Sequence, residues 1–221
     1  KHMIPIDYAN QQLKHFWLPD EVKVEKDLHC IMVDMTEAER HGVITVLKLF
    51  TMYELKAGQD YWLGRYMRIF PRHEFTRMAS VFGAFELAVH KPFYSKINEV
   101  LGLASDEFYN SYAADPYLQE RMDCIDAIIN DPDDLLSLAG FTFVEGGVLY
   151  SSFAYLKHFQ VNGKNKLLNI VRGINFSLRD ENLHAEASAW SYREKARHVD
   201  DRYVEGKMRD LAVKVWEHEK Y

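Results

Sequence analysis

Four stretches with the periodicity of long helices each carry an acid where an apolar residue belongs. That conflict restricts the fold of this 221-residue chain more than any other feature. Glu54 follows Phe50, Thr51, Met52 and Tyr53. Glu86 and His90 lie in the apolar run 82–90, Glu145 in 141–149, and Glu181 and His184 close the segment 179–184. Residues three or four apart share a helix face, so each Glu–His pair can point at one centre. Four carboxylates converging in a core would have to protonate or spread apart. A pair of divalent cations removes the conflict. Oxygen donors with one imidazole per metal suit iron or manganese, whereas zinc more often brings thiolates or a closed four-ligand shell.

Singly, each residue has a plainer reading. A Glu-x-x-His pair arises by chance in many helical proteins, Glu54 reads as a partly exposed or hydrogen-bonded acid, and Glu145 beside two glycines as a satisfied helix acid. What favours metal is the order along the chain: acid, acid plus His, acid, acid plus His, each on its own helix.

The helices themselves are legible. Thr36 with Glu39 reads as a capping box. Val43, Val46, Leu47, Phe50, Tyr53 and Ala57 then recur at helical spacing, which predicts helix to about Ile69. Pro71 ends that helix or opens the next, which runs to Leu101 before Gly102. A short helix starts at Ser105–Asp106, another runs from Asp115–Pro116 through Ile129, and Asp131 with Pro132 caps one that reaches Phe159. After a turn at 161–164, helix is expected over 165–197. A last amphipathic segment places Val204, Met208, Leu211, Val215 and Trp216 on one stripe. Nothing alternates at period two long enough to require a strand. The expected class is all-α, a bundle of long helices.

Composition narrows the function classes. With 48% hydrophobic and 27% charged residues the chain is globular in type. A net charge of −6 argues against a nucleic-acid binder. No uninterrupted apolar run is long enough for a membrane span, and no signal-peptide core opens the chain. Cys30 and Cys124 form no zinc-type pair and no disulfide framework, which favours a reducing, cytoplasmic setting. Lys1-His2-Met3 reads as a tag remnant.

The ligand order is that of ferritin-like di-metal carboxylate proteins, in which two helices give one Glu each and two others a Glu-x-x-His. Within that group the chain resembles the small, radical-generating subunit of class I ribonucleotide reductase. The residues that carry the resemblance are Leu49-Phe50-Thr51-Met52-Tyr53-Glu54, with Glu54 where the family usually has Asp. They include Val144-Glu145-Gly146 with Ser152-Phe153-Ala154, Arg179-Asp180-Glu181-Asn182-Leu183-His184, and Phe16-Trp17-Leu18-Pro19-Asp20-Glu21-Val22. They span nearly the whole chain, residues 1–221, read as one ferritin-like domain.

Two departures stand out. Glu86 and His90 are four apart where the family has three, an insertion that a π-bulge can absorb. Counting from the histidine puts the family's radical tyrosine at Tyr94; counting from the glutamate puts Phe93 there. The family also continues well past its last histidine into a tail that docks on the large subunit. This chain reaches Tyr221, 37 residues after His184, so that tail is expected to lie outside it unless this is a compact viral or phage-type variant; Tyr221 itself is not given the tail's role.

The resemblance implies metal ligands Glu54, Glu86, His90, Glu145, Glu181 and His184, holding two ions per chain, iron, manganese or one of each. It implies an electron-transfer chain of Trp17, Asp180 and His90, an oxidant stored at Tyr94 or on the metals, a homodimer, dioxygen as co-substrate, and a large catalytic subunit as partner. Other readings of the same fold are a di-metal oxidase or hydroxylase and a non-enzymatic iron store.

Overall fold

The structure is a computed structural model that describes residues 2–218; Tyr221 lies outside the described residues. Eight helices organise it: α1 (Ile4–Lys14), α2 (37–69), α3 (73–100), α4 (Asp106–Asn110), α5 (Pro116–Ile129), α6 (Asp134–Gln160), α7 (Leu168–Ala196) and α8 (Arg202–His218). No strand occurs among the described residues. The four acid-bearing helices α2, α3, α6 and α7 form the bundle. Helix α1 packs on α3 and α7, while α5 and α8 pack on α6.

Local chemistry sets most boundaries. Glu39 N donates to Thr36 Oγ1 at 3.2 Å and Thr36 N to Glu39 Oε2 at 2.9 Å, so the capping box at the start of α2 forms. The start of α6 differs from the sequence reading. Asp133, not Asp131, is the N-cap and accepts from Leu135 N and Leu136 N, so Pro132 precedes the cap. Asp131 instead accepts from Asp133 N at 2.8 Å and shapes the turn before it. Helix α1 was not expected; its opening segment is polar, and only Pro5, Ala9 and Gln12 are buried. Trp216 is 64% exposed and leaves the inward stripe of α8, which keeps Val204 and Val215 buried.

Helix α7 begins at Leu168 rather than 165, because Asn165 and Leu167 adopt positive φ. Its first amides are satisfied from far away: buried Asp27 accepts from Asn169 N at 2.8 Å, Ile170 N at 2.7 Å and Asn169 Nδ2 at 2.9 Å. A carboxylate at a helix N-terminus is favoured by both the free N–H groups and the dipole. Asp27→Ala is therefore expected to lower stability by about 1–3 kcal/mol. Thermal unfolding checks this, and an unchanged midpoint would contradict it.

Helix α6 is long and apolar enough to cross a membrane, with mean hydropathy 1.2 over its most apolar window. Of that window 56% is buried inside the fold, and Glu145 lies among the core acids, as suits the central helix of a bundle.

Three of the bundle helices leave α geometry at or next to their candidate ligands. The stretches Lys56–Tyr66, Glu86–His90 and Val144–Val148 are π-helical. The second absorbs the extra residue between Glu86 and His90, as expected. In its wider turn residues four apart come onto one face; in the regular α7 the pair Glu181–His184 needs only three.

Candidate metal centre

Glu54, Glu86, His90, Glu145, Glu181 and His184 are all fully buried, and they come together in two overlapping groups. One donor atom from each of Glu54, Glu86, His90 and Glu181 lies within 4.8 Å of the others; the same holds for Glu86, Glu145, Glu181 and His184. Glu86 and Glu181 belong to both groups, so they stand between two centres. Glu54 belongs to one alone and Glu145 to the other.

Both histidines turn Nδ1 inward. His90 Nδ1 is 2.8 Å from Glu86 Oε2 and 3.1 Å from Glu181 Oε1. His184 Nδ1 is 2.8 Å from Glu86 Oε1 and 3.0 Å from Glu181 Oε2. Behind the ring, His90 Nε2 lies 3.2 Å from Asp180 Oδ2, which also accepts from Trp17 Nε1 at 2.9 Å. An ionised carboxylate only accepts, so Nε2 carries the proton and the Nδ1 side faces the centre. Burial raises the Asp180 pKa, but the His90 hydrogen bond and charge outweigh it and hold the group below its usual value. Trp17 also stacks near His90, with ring centroids 6.0 Å apart.

Without cations, protons balance the charge. Burial, then Glu86, pushes Glu54 well above the usual carboxylate range; burial, then Glu181 and Glu86, does the same to Glu145. Burial also opposes charge on Glu86, but His90 and His184 overcome it and keep Glu86 ionised. Burial would depress both histidines, yet the surrounding acids raise His90 strongly and His184 to about 10.

The donors present fit a pair of divalent ions. Four carboxylates match the charge of two such ions. Both oxygens of Glu54, Glu86 Oε1 and Glu181 Oε1 have no hydrogen-bond partner although fully buried. The short approaches of Glu86 Oε1 and Glu181 Oε1 to the imidazoles lack hydrogen-bond geometry, as expected of lone pairs aimed at a shared point. Buried orphan acceptors are costly unless something binds them.

Tyr94 is fully buried, stacks obliquely on Phe50 with centroids 4.6 Å apart, and donates to Ser177 Oγ at 3.3 Å. Burial, then the Glu54 charge, raises its hydroxyl well above the usual value, so it stays protonated. Phe93 packs edge-on against Trp17 at 5.5 Å and obliquely against Tyr94 at 5.0 Å.

The sequence reading missed two residues that touch the cluster. Tyr53 Oη donates to Glu145 Oε2 and Trp62 Nε1 to Glu145 Oε1, each at 3.1 Å. One signal was available: a buried Tyr or Trp on an inward stripe usually finds a partner for its polar tip.

Solved structures with the same fold include a dimanganese(II)-NrdF from Streptococcus sanguinis and a class I ribonucleotide reductase protein from Bacillus halodurans. Each has a TM-score of 0.86 at 20% identity over 99% of this chain, and 77% and 80% of theirs. At that identity the likeness is one of fold. Among curated relatives, the ribonucleoside-diphosphate reductase beta subunit of Chlamydia pneumoniae is 27% identical over 184 residues, covering 76% of this chain and 52% of the relative. That of Bacillus subtilis is 26% identical over 185 residues, covering 80% and 55%. The chain thus spans about half the length of the curated relatives it matches. The family model described as "Ribonucleotide reductase, small chain" matches residues 2–221, and the chain belongs to that family.

Proposed function

We propose that the protein is the small subunit of a ribonucleoside-diphosphate reductase. In this reading it delivers an oxidising equivalent to a large catalytic subunit that makes deoxyribonucleotides for DNA replication. The observation that carries the reading is the pair of overlapping, fully buried donor groups sharing Glu86 and Glu181, in a chain of this family. Residues 1–221 would act as one ferritin-like domain, in a homodimer and in the cytoplasm. Two ions of iron or manganese would be held by Glu54, Glu86, His90, Glu145, Glu181 and His184. Bound there, they would supply the activation of dioxygen and one-electron oxidation.

The chain's own residues have distinct tasks in this reading. Glu86 and Glu181, which belong to both donor groups, would help hold both ions, Glu54 with His90 one of them and Glu145 with His184 the other. Asp180 keeps the proton on His90 Nε2 and links the ring to Trp17, a continuous hydrogen-bonded path of 3.2 Å and 2.9 Å. Trp17, Asp180 and His90 are thus proposed as the route for the electron. Tyr94 is proposed as the store: its ring is sealed from water by Phe50 and Phe93, and Ser177 Oγ is there to accept its hydrogen bond. Exclusion of water protects such an oxidant from side reactions. An iron store needs neither Trp17 nor the Asp180 link.

The full-length protein with its large subunit, dioxygen and Fe(II) or Mn(II) is expected to reduce ribonucleoside diphosphates. No turnover under any metal loading would overturn the reading. Tyr94→Phe is expected to abolish the tyrosyl radical signal in electron paramagnetic resonance; an unchanged signal removes Tyr94 from the mechanism.

A further inference from the structure

Glu145 is gripped from outside the cluster by two aromatic residues of one helix. Tyr53 Oη donates to Oε2 and Trp62 Nε1 to Oε1, both at 3.1 Å, and all three side chains have no exposed surface. Each carboxylate oxygen has two lone-pair sites, so each donor takes one and leaves one.

The two ends of the centre are supported differently. On the His90 side the imidazole is fixed from behind by Asp180 and Trp17. On the other side His184 Nε2 has no hydrogen-bond partner among the described residues. There the orientation must come through the carboxylate, and Tyr53 and Trp62 supply it. Burial alone does not explain the contact. Tyr61, next to Trp62 and equally buried, stacks on Phe141 and leaves its hydroxyl without a hydrogen bond.

Backbone geometry makes the grip feasible. Trp62 lies nine positions after Tyr53. In an ideal α-helix that is about two and a half turns, which puts them on opposite faces. The i→i+5 turns of Lys56–Tyr66 wind less per residue and bring Trp62 round to the side Tyr53 occupies.

We infer that Tyr53 and Trp62 are positioning residues that clamp Glu145, directing its remaining lone pairs to the cation on the His184 side. The inference rests on the di-metal reading above. It makes the centre an asymmetric one, its two ends held by separate networks that can be weakened independently.

The test is titration of the metal-free protein with Mn(II) alone, reading free Mn(II) by electron paramagnetic resonance beside thermal melting of the metal-free form. Wild type is expected to bind two ions per chain. Tyr53→Phe and Trp62→Phe should each weaken one ion about 10–100-fold and leave the other unchanged, the range seen when groups that orient metal ligands are removed. Tyr61→Phe should bind as wild type does. Asp180→Asn should weaken the other ion, so adding it to Tyr53→Phe weakens both. If Trp62→Phe does not fold, Tyr53→Phe decides alone, since it removes one oxygen and no packing. Two ions bound by every variant with wild-type affinity would overturn the clamp and leave the centre standing. Equal weakening of both ions in Tyr53→Phe, with a matching fall in metal-free melting temperature, would overturn it too. No ion bound by wild type would overturn the di-metal reading itself.

Discussion

Glu181→Ala is expected to lose both metal ions, whereas Glu54→Ala is expected to lose one. Glu181 offers a donor atom to each of the two groups, with Oε1 3.1 Å from His90 Nδ1 and Oε2 3.0 Å from His184 Nδ1. Glu54 offers its donors to one group only. Removing the shared carboxylate takes a ligand and a negative charge from both ions at once. The increase in melting temperature that metal gives to wild type is expected to disappear in Glu181→Ala. Elemental analysis of protein loaded with Fe(II) or Mn(II) checks the stoichiometry. Two ions per chain in Glu181→Ala would contradict the ligand assignment.

Asp180→Ala should be the costliest single change behind the centre. Asp180 Oδ2 accepts from both His90 Nε2 and Trp17 Nε1, and all three side chains are buried. Alanine leaves two buried N–H donors with no acceptor, at roughly 1–3 kcal/mol for each. It also frees the His90 ring to turn, which weakens the ion on that side. Asp180→Asn separates the causes: the amide oxygen can still accept both bonds, but the negative charge is gone. Most of the folding stability should return in Asn while the metal affinity stays reduced. Urea unfolding of the metal-free variants reads the first quantity; equal stability of Asp180→Ala and wild type would show that the link bears no structural load.

What could be read from the chain follows from which interactions are local. The capping box at Thr36 and the stripe Val43 to Ala57 are written within a few residues, and α2 forms where they say. The acids among apolar neighbours were legible for the same reason, since burial and charge conflict within one turn. The extra residue between Glu86 and His90, against the spacing of the family it resembles, pointed to a π turn that could absorb it, and Glu86–His90 is π-helical. The π-helical stretch Lys56–Tyr66 had no such marker, so the face that Trp62 occupies could not be inferred from α periodicity. Asp27 at the start of α7 was invisible too: the acid lies about 140 residues from the amides it satisfies, and no local pattern encodes that meeting. At α6 Asp133 rather than Asp131 caps the helix, and Asp131 instead accepts from Asp133 N in the turn before it.

Anomalous diffraction from crystals of the Fe(II)- and Mn(II)-loaded protein, collected at both metal edges, tests most directly whether this bundle encloses two metal ions between its acids. Two peaks roughly 3.5–4 Å apart are expected, a usual spacing for paired ions. One should lie among Glu54, Glu86, His90 and Glu181, the other among Glu86, Glu145, Glu181 and His184. A single peak, or no peak between these side chains at either edge, would contradict a two-ion centre.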